Sequence, residues 1–139
     1  ERRKYFEEYA TKNGLDASSY LKIGEYSIES GYRMMREMLT EGKNPTAVFA
    51  ASDHIAIGAM KAIREKGLRI PQDISMIGFD DVDLCGFIKP TLTTMHAPAY
   101  EMGQYGANFL VAASNLLQAS PIKVKMPCRL VERESCACI

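Results

Sequence analysis

Short apolar runs alternate along this chain with longer stretches whose apolar positions recur every three or four residues, a pattern that predicts strands and helices in turn. The first twelve residues already read as a helix, with Phe6, Tyr9 and Ala10 on one stripe and Gly14 placed as a left-handed stop. Tyr20 to Gly24 predicts a first strand. Ser27 can cap a helix in which Ile28, Tyr32, Met35 and Leu39 recur at helical spacing until Gly42. Thr46 to Ala51 predicts a second strand, followed by a helix from about Asp53 to Lys66 that buries Ile55, Ala59, Ala62 and Ile63 and stops at Gly67. Ile74 to Phe79 alternates poorly between polar and apolar, as a strand buried on both faces does. After Pro90, the β-branched run Thr91 to Met95 predicts another extended segment, closed by His96-Ala97-Pro98. Tyr100 to Leu117 follows as a long amphipathic helix with Met102, Phe109, Leu110, Ala113 and Leu117 on its apolar stripe. Val124 to Glu134 is a last extended stretch, interrupted by Pro127 as suits an edge strand.

Strand, helix, strand, helix, strand with short connections implies an α/β fold with a doubly wound parallel sheet. Such a sheet holds ligands beyond the carboxyl ends of its strands. Three loops should open there, carrying Glu25-Tyr26, Ser52-Asp53-His54 and Asp80-Asp81. A carboxylate accepts hydrogen bonds from two neighbouring hydroxyls, and an aromatic face offers a platform for ring C–H groups. That combination suits a polyhydroxylated ring such as a sugar. The competing readings are that Ser52 or Asp53 caps the helix, that Tyr26 is a wall residue, and that Asp81 accepts local backbone N–H groups in its turn.

The 17 basic and 17 acidic residues cancel, and no Lys/Arg run supplies an electrostatic footprint for nucleic acid. No apolar run approaches the ~18 residues of a membrane span, and no secretory leader is visible, so a cytoplasmic protein is expected. The four cysteines, Cys85, Cys128, Cys136 and Cys138, do not have metal-ligand spacing, and neither a metal nor another cofactor is expected. Asp53, His54, Asp80, Asp81 and His96 could in principle form a hydrolytic centre. They lack a nucleophile elbow, a phosphate loop or a His-Glu-x-x-His helix to accompany them, so no catalytic residue is assigned and an enzyme is not expected. No capping residue and no initiator Met precede the first helix, so the chain is expected to be a fragment that begins inside it.

The run PTAVFAASDHIAIGAMKAIREKGLRIPQDISMIGFDD, from Pro45 to Asp81, together with Pro90-Thr-Leu-Thr-Thr-Met95, closely resembles the effector-binding domain of the lactose repressor and galactose repressor (LacI/GalR) family of bacterial transcription regulators. The resemblance implies the fold of type 1 periplasmic sugar-binding proteins, two α/β subdomains closing on an effector, with a helix-turn-helix elsewhere in the protein to read DNA. It implies that residues 1–95 and 124–139 form the C-terminal subdomain, while the helix at 99–118 packs on the other subdomain. It implies ligand contacts from Arg2, Tyr26, Ser52 and Asp80, and a homodimer contact near Leu84, Cys85, Phe87 and Ile88. Ala97-Pro98 stands where many relatives have Gln-Pro, so one polar ligand contact should be lost. Without the rest of the cleft, the helix at 99–118 is expected to drive dimerisation, to be exchanged between copies, or to fold onto its own sheet. A soluble sugar receptor for a transporter shares the fold and is the alternative.

Overall fold

The structure is a computed structural model that describes residues 2–113 and 122–137. Its elements are α1 (Arg2–Lys12), α2 (Ala17–Tyr20), α3 (Ile28–Thr40), β1 (Ala47–Phe49), α4 (Asp53–Glu65), β2 (Ser75–Asp80), a 3-10 turn at Asp83–Gly86, β3 (Thr93–His96), α5 (Ala99–Ala113) and β4 (Arg129–Val131). The sheet runs β1-β2-β3-β4, with β1, β2 and β3 parallel and β4 antiparallel to β3. The α/β, parallel-dominated architecture is the expected one. Pro127 precedes β4 at the sheet's edge, where its missing N–H costs no ladder bond.

One strand is corrected. Tyr20 to Gly24 does not join the sheet: Ala17–Tyr20 turn into α2, whose Asp16 cap accepts Ser18 N–H at 3.1 Å and the Ser18 hydroxyl at 2.6 Å. Leu21 then runs extended, at φ −90° and ψ 124°. Leu21, Ile23 and Gly24 line a cavity of about 940 Å³ together with Val48, Phe49 and Ala50. Extended backbone becomes a strand only when a neighbour completes the ladder, and across this cavity none does.

α3 and α4 cover one face and carry the core. Met35, Met38 and Leu39 from α3 meet Ala59, Met60 and Ile63 from α4 over Met76 of β2 and Leu92 before β3. The two helices approach closely because glycine faces backbone on each. A Cβ on Gly31 would lie 2.1 Å from the Ile55 carbonyl oxygen, and one on Gly58 would lie 1.9 Å from that of Ile28. By contrast α5 has no buried residue: Tyr100 is 78% exposed and Leu110 71%. Folding of that helix onto its own sheet is therefore not what occurs. Residues 114–118 of the expected helix lie outside the described residues.

The glycine contacts make a direct test. Gly58→Ala should lower stability by about 2–3 kcal/mol, because the methyl meets backbone that cannot rotate away. Gly103→Ala, in α5 with nothing within 4 Å, should leave stability unchanged or raise it by up to about 1 kcal/mol. Urea midpoints of the two variants and the wild type check this; a Gly58→Ala midpoint at or above wild type would refute the close-contact account.

Candidate functional site

Parallel pairing of β1 with β2 sets two chain ends side by side. The Ala50 N–H donates to the Ile77 carbonyl at 2.9 Å, so Ala51 and Asp80 emerge at the same edge. Arg2, in the first turn of α1, crosses to both. Its Nη1 donates to the Ala51 carbonyl at 2.6 Å, its guanidinium lies 3.7 Å from the centroid of the Phe79 ring, and its Nη2 stands 3.9 Å from Asp80 Oδ1. Stacking and one hydrogen bond fix the plane of the guanidinium, leaving its remaining N–H groups beside an open carboxylate. Tyr26, 67% exposed, lines the same cavity as Arg2 and Ala51.

Asp80 sits in unusual backbone. Asp80 has φ 114° and Asp81 φ 64°, the left-handed region that costs a non-glycine residue on the order of 1–3 kcal/mol each. The surroundings hold the turn from several sides. Asp81 Oδ1 accepts from Arg133 Nη2 at 2.6 Å and Oδ2 lies 3.0 Å from His96 Nδ1. Arg133 is itself placed by bonds to the Leu92 carbonyl at 2.8 Å and, through its N–H, to Thr93 Oγ1 at 2.9 Å. Asp81 is thus not a local turn acceptor, since its partners are His96 on β3 and Arg133 beyond β4. Asp53, fully buried, accepts the Val82 N–H on Oδ2 at 2.9 Å and the Thr94 hydroxyl on Oδ1 at 2.6 Å.

The two neighbouring carboxyl groups titrate in opposite directions. Burial pushes Asp80 up, opposed by Arg2 and reinforced by Asp53. Burial would push Asp81 up as well, but the hydrogen bonds from Arg133 and His96 and their charges together hold it below the usual range.

Of the four expected ligand residues, Arg2 and Asp80 therefore meet at one edge, and Tyr26 lines the cavity that Arg2 borders. Ser52 is 2% exposed and its hydroxyl accepts the Ile55 N–H at 3.4 Å, so the capping reading describes its position. Cys85 is corrected as a dimer contact: the 3-10 turn points it inward, it is fully buried, and burial with the Asp53 carboxyl nearby pushes its thiol up to about 12. Ile88 is half-buried against the core, while Leu84 at 42% and Phe87 at 82% are exposed. Phe79 and Arg133 were missed. Phe79 reads as ordinary strand core, and Arg133 offers no local signal because its partner is 52 residues away. Among the described residues no group of three or more His, Cys, Asp or Glu side chains could hold a metal.

Residues 1–136 match the periplasmic binding protein-like domain family. The HTH-type transcriptional repressor PurR of Escherichia coli O1:K1 / APEC is 40% identical over 119 residues, covering 86% of this chain and 35% of that protein. The chain thus spans about a third of the length of the curated relatives it matches. A LacI family transcriptional regulator from Enterococcus faecium, solved with bound ribose, is 35% identical with a TM-score of 0.74, covering 81% of this chain and 41% of that one. The Lac repressor dimer bound to operator and the anti-inducer ONPF is 32% identical with a TM-score of 0.76, over 93% of this chain and 44% of that one.

The opposed titrations predict opposite pH slopes. A raised folded pKa means that ionised Asp80 costs the native state stability once pH passes its ordinary value of 3.8. Asp80→Asn should therefore be at least as stable as wild type at pH 7, with the advantage vanishing below that value. A lowered folded pKa means that Asp81 contributes stability above 3.8 that is lost as pH falls through its folded value. Asp81→Asn, which tolerates left-handed backbone, should cost about 2 kcal/mol at pH 7 and progressively less in acid. Urea unfolding at pH 7 and pH 3 measures both; parallel slopes for the two variants would contradict the assignment.

Proposed function

The chain belongs to the periplasmic binding protein-like domain family, in the branch of LacI/GalR-type effector-binding domains, and on that premise we propose that it is the effector-binding and dimerisation part of a bacterial transcription regulator. The effector is a sugar or a similarly hydroxylated ring. The observation that carries this is the Arg2 guanidinium, held flat on Phe79 beside the open carboxylate of Asp80, with Tyr26 on the cavity that Arg2 also lines. A donor fork, an acceptor pair and an aromatic platform at one edge are what a polyol ring requires.

In the intact regulator, residues 1–95 and 124–139 form one subdomain and α5 reaches across to the other, which accounts for its wholly exposed apolar residues. Effector held between the subdomains favours one closure state. Operator affinity, exerted through a helix-turn-helix elsewhere in the protein, then changes by the effector's differential affinity for the two states. The homodimer contact uses Leu84 and Phe87, the exposed apolar residues of the loop after Asp80, with Ile88 at its margin. Ala97 supplies no polar side chain, so the effector is gripped differently from that of relatives with glutamine there. The protein works in the cytoplasm, uses no cofactor and catalyses nothing; among the described residues no helix is long and apolar enough to cross a membrane. A transporter's sugar receptor shares this fold, but the similar proteins above are regulators by name.

A thermal-shift screen of pentoses, hexoses, disaccharides and purine bases on the regulator tests the reading. A true effector at a hundred times its Kd should stabilise by about 2.7 kcal/mol. Asp80→Ala should abolish that shift, and Arg2→Ala or Tyr26→Ala should each weaken binding by about 1–3 kcal/mol. A hit whose stabilisation survives Asp80→Ala would remove Asp80 from the site and with it the reading.

A further inference from the structure

We propose that Asp53 is the positioning residue of this site: from the first turn of α4 it holds the backbone on the exit side of the Asp80–Asp81 turn, and so sets where the Asp80 carboxylate points, without touching ligand itself. The proposal rests on the effector reading of Asp80 given above.

Asp53 is fully buried, and both of its oxygens are used within the protein, Oδ2 by the Val82 N–H at 2.9 Å and Oδ1 by the Thr94 hydroxyl at 2.6 Å. Its burial keeps it from meeting a ligand directly. The neighbouring strand reserves space for it: a Cβ on Gly78 would lie 2.2 Å from Asp53 Oδ1, so a glycine in the middle of β2 is what admits the carboxyl group. Its place at the amino end of α4 favours an acidic group, so this burial is electrostatically supported.

The turn itself needs holding at three points. Entry is set by the β2–β3 ladder, where Asp80 pairs with His96. The middle is set by the Asp81 side chain on Arg133 and His96. Exit is set at Val82, the first residue after two consecutive positive-φ aspartates, whose N–H donates to Asp53. Release of that amide frees the turn to relax toward ordinary φ values, which would swing Asp80 away from Arg2.

Amide exchange and backbone couplings measured by NMR test this in the chain itself. Asp53→Ala should speed exchange at Val82 by about tenfold and shift the Asp80 and Asp81 HN–Hα couplings, while Met35 and Leu39 in α3 stay within about twofold. Asp53→Asn, which keeps an acceptor for Val82 and an amide for Thr94, should restore both readouts to near wild type. Unchanged Val82 exchange in Asp53→Ala, or acceleration equal to that in α3, overturns the proposal. Should Asp53→Ala not fold, Thr94→Val removes only the Oδ1 partner and should still speed Val82 exchange by about threefold; no change there overturns it equally. On the ligand side, D-ribose is the probe. Asp53→Ala should weaken its binding by about tenfold with Asp80 present and by less than about twofold in an Asp80→Ala background. Equal losses in both backgrounds overturn the proposal. If Asp80→Ala alone leaves ribose binding intact, the effector reading fails instead, and exchange at Val82 still decides the role of Asp53.

Discussion

Two consecutive aspartates in left-handed backbone, Asp80 and Asp81, end the central strand β2, and the edge of the sheet is arranged around keeping them there. Such backbone is unfavourable for residues with a Cβ and persists only where its surroundings over-determine it. Here the determinants come from elements far apart in sequence: Asp53 at the start of α4, Thr94 and His96 on β3, and Arg133 after β4. None of these groups is spare. Among the described residues no buried side-chain N or O atom lacks a hydrogen bond, these included.

The two aspartates divide the work between them. Asp81 is 13% exposed, paired with the Arg133 guanidinium on one oxygen and bonded to His96 Nδ1 on the other, so its charge stabilises the fold. Asp80 is 42% exposed, and its nearest cation stands at 3.9 Å, outside hydrogen-bonding range. Partial burial pushes its pKa up, and the charge of Arg2 offsets that only in part. On the effector reading proposed above, a ligand that supplies donors to Asp80 would favour its ionised form.

Much of this fold is legible in the pattern of apolar residues, because period two and period three-and-a-half report directly on strands and helices. The boundaries of α3, α4 and β2 follow from Ser27, Ser52, Gly67 and the unbroken run before Asp80. Misreadings arise where a partner decides the outcome. Tyr20 to Gly24 has the composition of a strand, but composition cannot supply the neighbour on which a ladder depends. Cys85 looked superficial because it lies between Leu84 and Phe87, yet a four-residue 3-10 turn sends it inward and them outward, an orientation with no periodic signature. Asp53 read as one of two capping candidates, and Ser52 performs the cap while Asp53 reaches past the helix end. Arg2 was found through resemblance alone. The surface it serves exists only once α1, β1 and β2 are assembled.

The placement of Asp81 also bears on how a signal could leave the site. The chain departs from the sheet at His96 toward α5 and comes back along Arg129–Val131 to Arg133, so both crossings meet at the two side chains that hold Asp81. Asp80, its immediate neighbour, is the residue proposed to meet effector. A rotation of that peptide cannot occur without disturbing the contacts to His96 and Arg133, because interiors this well satisfied respond by switching between arrangements rather than by gradual deformation. Two connecting segments anchored at one carboxylate therefore move together or not at all. On the reading proposed above, in which α5 packs on a second subdomain and Asp80 meets effector, this shared anchor links the ligand to how the two subdomains close.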